Sequence, residues 1–183
     1  MERTISIEVG KGSQAHNSRK FKASNVDAER TQNNVCYCNE NIRRVYHELF
    51  DDAVKRYNDK QTRADRKIDD YYKKIRTGKQ EKLFHEIVVQ IGNRDDTNVQ
   101  GEHCELAGKI LDEYYSGFIE RNPQLRVFSA HLHLDEETPH LHIDFVPFMT
   151  GSKRGLDTRV TLKQALAMQG FKGGSREETE WSQ

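Results

Sequence analysis

Three histidines have the residue type and spacing to hold a divalent metal. They are His133, His140 and His142, in the stretch H-L-D-E-E-T-P-H-L-H. His140 and His142 stand two apart on a β-prone run, so their side chains share a face, and His131 and His133 do the same on the run before. Folding the chain at Asp135 to Pro139 would bring those faces together. Pro139 excludes one continuous helix carrying a Glu–His ligand pair. Imidazoles converging from adjacent strands suit manganese, zinc or cobalt and leave positions open for water or substrate. The competing reading is a row of polar strand residues hydrogen-bonded in a partly buried sheet. Glu136 is the preferred carboxylate of the metal environment, Asp135 reads equally as a turn former, and Asp144 shares the parity of His140 and His142. A metal held this way polarises a phosphodiester oxygen and offsets charge developing in the transition state.

The elements that must position these residues follow from periodicity. Thr4 to Val9, Phe84 to Ile91, Leu125 to Leu134 and Leu141 to Phe148 read as strands, the last two as a hairpin. Asn39 is the expected N-cap of a helix carrying Ile42, Val45, Tyr46, Leu49, Ala53 and Tyr57 on one stripe. Residues Thr62 to Arg76 predict a second, highly charged helix ending at Gly78, and Leu106 to Phe118 a third. Gly10 to Asn34 is polar with no hydrophobic period, the pattern of a long functional loop. Gly151 to Arg159 reads as a basic loop, and Thr161 with Gln164 as a capping box opening a short helix. Ser175 and Glu178 repeat that signal near Gln183, so residues 1–183 are expected to be one domain of a longer protein. Strands interleaved with helices and closed by an antiparallel hairpin predict an α+β domain rather than a doubly wound one.

Composition narrows the function classes. Of 183 residues, 34% are hydrophobic and 32% charged, and the formal net charge is zero. The distribution is uneven: Ala53 to Lys82 holds 11 Lys/Arg against 5 Asp/Glu, while Glu102 to Glu120 holds 5 acids and one Lys. A polyanion on the basic side fits that asymmetry, as does ordinary surface patterning. Three cysteines argue against a disulfide framework, and the Cys36/Cys38 pair has no second pair at zinc-finger spacing. No signal peptide or membrane-span pattern is present, so the expected location is cytoplasmic. No Gly-rich phosphate loop occurs, which argues against nucleotide-driven chemistry.

Three motifs in order resemble one family. The histidine hairpin with its following I-D-F-V-P-F is similar to the metal motif of the MobV relaxases, the Mob/Pre plasmid recombination enzymes. His16, Asn17 and Arg19 match that family's H-N-x-R, and Asn25, Asp27, Arg30 and Asn34 match its N-x-D-x-x-R-x-x-x-N. The resemblance implies a histidine-hydrophobe-histidine endonuclease fold, an antiparallel sheet carrying the metal site with helices packed behind it, that nicks and rejoins one strand of single-stranded or locally melted DNA at a transfer origin, holding the 5′ phosphate covalently. It implies His133, His140 and His142 as metal ligands, Glu136 as their support and His16 as nucleophile. The metal is expected to be Mn2+, with Mg2+, Zn2+ or Co2+ as alternatives.

Tyrosine remains open as nucleophile, at Tyr37, Tyr46, Tyr71 or Tyr72, and so does activated water. Arg30 is expected beside the scissile phosphate, where a guanidinium can grip two oxygens. Asn17, Arg19, Lys20, Lys22, Asn25, Asp27, Asn34, Lys153, Arg154 and Arg159 are expected along the DNA. The rival readings are a water-using metal nuclease and an origin-binding module without turnover. Sequence beyond this chain is expected to supply any dimerisation or coupling partner.

Overall fold

The computed structural model describes residues 4–21, 24–93, 95, 97–99, 101 and 103–171. The described residues form an α+β fold built on a six-stranded sheet. Its strands are β1 (Ile5–Val9), β2 (Val35–Asn39), β3 (His85–Ile91), β4 (Leu125–His133), β5 (His140–Met149) and β6 (Arg159–Val160). The order across the sheet is β1-β3-β5-β4-β2, with β6 paired to the far end of β5. The pairings β1–β3, β3–β5, β2–β4 and β5–β6 are antiparallel, and β4 and β5 are consecutive neighbours, the expected hairpin. The helices are α1 (Gln14–Asn17), α2 (Ile42–Asp59), α3 (Tyr71–Thr77), α4 (Cys104–Arg121) and α5 (Leu162–Met168).

The chain groups into two compact units. The first comprises Met1–Asn39, His85–Pro123 and Val127–Phe145. Its core lies on one face of β3 and β5, where Ile87, Val89, Ile91, Leu141, Ile143 and Phe145 are buried. Helix α4 covers that face with Leu111 and Phe118, and the Phe118 and Phe145 rings stand 6.2 Å apart. Each large apolar side chain buried there contributes about 1.5–3 kcal/mol. The β3–β5 register sets Glu86 opposite Asp144, Val88 opposite His142 and Gln90 opposite His140, which puts all six on the other face.

The second unit comprises Glu40–Phe84, Gln124–Arg126 and Val146–Gln183. Val45, Tyr46, Phe50 and Ala53 form the buried stripe of α2, and Phe50 packs edge-on to Tyr71 of α3 at 5.0 Å. Arg126 forks onto Glu40 (2.8 and 3.0 Å).

Several expected boundaries shift for physical reasons. Strand β2 was not anticipated: its V-C-Y-C-N pattern reads as a cysteine pair, and the register shift between Cys36 and Cys38 blurs the alternation. Because Asn39 closes β2 opposite Ser129, the N-cap of α2 is Asn41, whose side chain accepts from the Arg43 N–H. The expected helix over 62–76 is broken. The Asn58 amide bonds both the N–H and the carbonyl of Ile68 at 2.8 Å, holding the chain out of helix until Asp70 caps α3. Helix α5 starts at the predicted place, but the Thr161 side chain makes no capping bond and bonds Glu81 instead. The polar stretch 10–34 contains α1 and a 3-10 turn at Thr31–Asn33. Lys22 and the Ser175/Glu178 capping signal lie outside the described residues. Among the described residues, no helix is long and apolar enough to cross a membrane.

Candidate metal centre

Strand parity brings His133, His140 and His142 together as expected. Their ring centroids are 5.2 Å apart for 133–140, 4.8 Å for 133–142 and 5.0 Å for 140–142. All three are buried. His16, on the one-turn helix α1, closes a fourth side at 5.8 Å from His133 and 5.9 Å from His142.

Oxygen acceptors fix which nitrogen of each ring points inward. A carbonyl or carboxylate oxygen can only accept, so a ring nitrogen beside one carries the hydrogen. His133 Nε2–H donates to the Asn17 carbonyl (2.8 Å), His140 Nδ1–H to the Thr138 carbonyl (2.8 Å) and His142 Nδ1–H to Glu86 Oε1 (2.9 Å). The remaining lone pairs are His133 Nδ1, His140 Nε2 and His142 Nε2. The first two face each other at 3.3 Å with no hydrogen to share, and the third is buried without a hydrogen-bond partner. Opposed lone pairs and an orphaned buried nitrogen are costly unless a cation lies among them. Two nitrogens bound at about 2.0–2.1 Å in a tetrahedral set are about 3.4 Å apart, so the observed gap already fits a metal.

Electrostatics agree. Burial, reinforced by the neighbouring imidazoles and Arg19, drives His133 down to about 2, so its lone pair is free at neutral pH. Burial and His142 likewise lower His140. Glu136 reaches in from the turn, with Oε1 3.3 Å from His16 Nε2, 3.8 Å from His133 Nδ1 and 3.9 Å from His140 Nε2. Two sets of ligand atoms, each mutually within 4.8 Å, share His133: one with His16 and His142, the other with Glu136 and His140, so among the described residues the three hairpin histidines are divided between two adjoining sets.

Comparison with known proteins identifies the family. A family model described as the plasmid recombination enzyme (Mob/Pre) matches residues 11–180. The chain belongs to the plasmid recombination enzyme family. Two proteins called plasmid recombination enzyme type 2, from Staphylococcus aureus strains Mu50 and N315, are each 30% identical over 150 residues. That alignment covers 79% of this chain and 31% of each relative, so the chain spans about a third of their length. Among solved structures, a manganese-bound crystal structure of the MobM relaxase domain on plasmid pMV158 oriT DNA aligns at 20% identity and a TM-score of 0.49. It covers 97% of this chain and 79% of that one. A second MobM complex, with a 3′-thiophosphate, aligns at 22% identity and the same score over 90% and 76%.

The family motifs upstream of the hairpin bond to the β4–β5 turn and to the acidic residues behind the histidines. Asn17 is buried, and its amide donates to Glu86 Oε1 (2.6 Å) and Asp144 Oδ2 (3.3 Å). Arg19, in left-handed backbone at φ 55°, grips both oxygens of Asp135 and bonds Glu136 Oε1 at 2.7 Å. Asp135 is fully buried. Burial alone would raise its carboxyl, yet the hydrogen bonds of Arg19, with those of Asn34 and Thr31, hold it down to about 2. Asn25 donates to Glu136 Oε2 (2.9 Å), the Asp27 N–H to the Asp135 carbonyl (2.8 Å), and Asn34 Oδ1 accepts from the Leu134 N–H (2.7 Å). Arg30, expected beside the scissile phosphate, is spent on the Leu134 and Val99 carbonyls. The second motif thus builds the hairpin turn that aims Glu136.

The remaining expectations divide. Lys20, Lys153 and Arg154 are exposed, while Arg159 is half-buried near Tyr71 and Glu81. Tyr37 is engaged with Asp112 (2.8 Å), its hydroxyl raised by burial and that carboxylate. The Tyr46 hydroxyl donates to the Leu83 carbonyl, Tyr71 accepts from the Val160 N–H, and Tyr72 packs on Tyr46 and Arg43. Those three serve packing in the second unit. His131 has the parity of His133 but lies outside both close ligand sets. Sequence reasoning missed Glu86, whose signal was one acid at the parity of Val88 and Gln90 in an apolar strand.

Proposed function

We propose that this chain is the nicking and joining domain of a plasmid recombination enzyme, acting on one strand of single-stranded or locally melted origin DNA. The observation that carries it is the packing of three buried imidazoles, His133, His140 and His142, with ring centroids 4.8 to 5.2 Å apart beside the His16 ring. The family supplies the context of plasmid DNA. A divalent ion with affinity for imidazole and oxygen, manganese first, would be held by those three nitrogens, with Glu136 alongside. It would polarise a non-bridging phosphate oxygen and stabilise the departing 3′ oxygen.

His16 is the nucleophile in this reading. A lone pair of its ring attacks phosphorus, the bond from phosphorus to the 3′ oxygen breaks, and the imidazole proton is the one the departing oxygen needs. The 5′ phosphate is then carried as a phosphoramidate, and attack by a 3′ hydroxyl reverses the step. Glu136 Oε1 orients the imidazole from 3.3 Å. Lys20, Lys153 and Arg154 are exposed, within reach of backbone phosphates, and would set salt dependence rather than sequence choice.

The close His16–His133–His142 set favours a second reading, in which His16 is a metal ligand and water attacks. Denaturing electrophoresis of labelled origin oligonucleotide with protein and Mn2+ separates the two. A covalent band that disappears in His16→Ala supports transesterification. Cleaved product without an adduct supports the water reading, and absence of both overturns the proposal.

A further inference from the structure

Resting on the metal assignment above, one residue outside the ligand set joins the metal centre to the segment that carries His16. Glu86 is 4% exposed on β3, and its carboxylate is fully used. Oε1 accepts from His142 Nδ1–H (2.9 Å) and from the Asn17 amide (2.6 Å), and Oε2 accepts from the Gly12 N–H (2.6 Å). Burial would raise its carboxyl, but these donors hold it below the ordinary range. The chain leaving β1 is wrapped onto it: the Gly10 N–H bonds the Glu86 carbonyl (3.0 Å), and a Cβ on Gly10 would stand 1.9 Å from Oε2. From the other side, the Asn17 carbonyl accepts from His133 Nε2–H.

The segment from Gly10 to Asn17 is therefore bonded to the outer nitrogens of two of the three imidazoles. His142 is reached through Glu86 and His133 directly, and His16 adjoins the residue that makes both links. We propose that Glu86 and Asn17 act as positioning residues that couple occupation of the metal site to the placement of His16. A metal on the inner nitrogens fixes the rings with their outer N–H groups toward Glu86 and the Asn17 carbonyl. Those bonds in turn hold α1 down. Coupling of binding free energies is reciprocal, so a seated α1 tightens metal binding by the same factor.

Amide hydrogen exchange over residues 10–21, with and without Mn2+, tests this together with Mn2+ affinity by titration calorimetry. In the unsubstituted protein Mn2+ slows exchange in that segment by about tenfold or more, on the scale of outer-sphere coupling. Asn17→Asp keeps the size of the side chain but replaces the donor by a carboxylate beside Glu86 and Asp144. It binds Mn2+ about tenfold more weakly, and its exchange over 10–21 no longer responds to metal. Gly10→Ala, which must displace the Glu86 carboxylate, gives the same loss through a different residue. Metal uptake by the unsubstituted protein without any change in exchange overturns the coupling alone, as does a normal response in both variants. No uptake of Mn2+ by the unsubstituted protein overturns the metal assignment and the coupling together.

Discussion

The two faces of β5 are both buried and are held by opposite physics. Leu141, Ile143 and Phe145 face α4 and are 1% exposed or less, while His140, His142 and Asp144 on the alternate positions are 9% or less. The apolar face is stabilised by area removed from water and tolerates shifts of a few tenths of an ångström. The histidine face is stabilised only where each donor meets its acceptor, and it leaves His142 Nε2 and Asp144 Oδ1 buried without a hydrogen-bond partner. Burial lifts Asp144 to about 7, with the Glu86 charge opposite adding to the effect. One strand thus carries both the fold's stability and its chemistry, on separate sides.

Removing a side chain from each face separates the two. His142→Ala takes away a proposed ligand and lowers nicking by about two to three orders of magnitude, comparable to losing one transition-state stabiliser. It leaves the apo fold intact by circular dichroism. Cleavage at the unsubstituted rate would end the assignment of that face to the metal. Phe145→Ala does the reverse: it costs about 3–5 kcal/mol in urea unfolding, from lost burial and a cavity against Phe118. Mn2+ affinity of the folded fraction stays within about threefold, since the β5 alternation puts Phe145 on the face opposite His140 and His142. A large drop in affinity would show that the faces are not independent.

The turn between β4 and β5 tests whether the polar side is also structural. Arg19→Ala leaves the buried Asp135 charge without its fork and destabilises the metal-free protein by about 3 kcal/mol. The pH dependence identifies the cause. Because Arg19 and its neighbours hold the folded carboxyl down to about 2, below the ordinary aspartate value of 3.8, its contribution is present above about pH 4 and lost as pH falls toward 2. Urea unfolding at several pH values should show that acid loss in the unsubstituted protein and a flatter profile in the variant. Equal profiles would remove Arg19 as the cause.

What the sequence made legible follows the same division. Period-two alternation placed β3, β4 and β5, and the H-x-H spacing placed three rings on one face, because local geometry alone decides both. The upstream residues were legible as chemistry but not as direction. Asn17, Arg19, Asn25 and Arg30 are polar residues of a long loop, for which solvent or DNA is the natural expectation. Their partners, at Glu86, Asp135, Glu136 and Leu134, lie 69 to 117 residues away, a separation that no spacing rule reaches. Glu86 was hidden for a related reason. A single acid in an apolar strand gains meaning only once the β3–β5 register sets it beside the histidines.

The smallest effect expected is at the rim. Asn25 is exposed, and its amide donates one 2.9 Å bond to Glu136 Oε2. Glu136 keeps Arg19 on its other oxygen at 2.7 Å, so losing Asn25 loosens the carboxylate without freeing it. Asn25→Ala should therefore lower nicking by about three- to tenfold, the net scale of one solvent-exposed hydrogen bond, with unfolding free energy unchanged within about 0.5 kcal/mol. Asn25→Asp sharpens the point. It keeps the shape but sets a second carboxylate against Glu136, and should fall below the alanine variant in single-turnover cleavage. If both variants cleave at the unsubstituted rate, the orientation of Glu136 rests on Arg19 alone. The outer bonds of the turn would then belong with the structural side of the molecule.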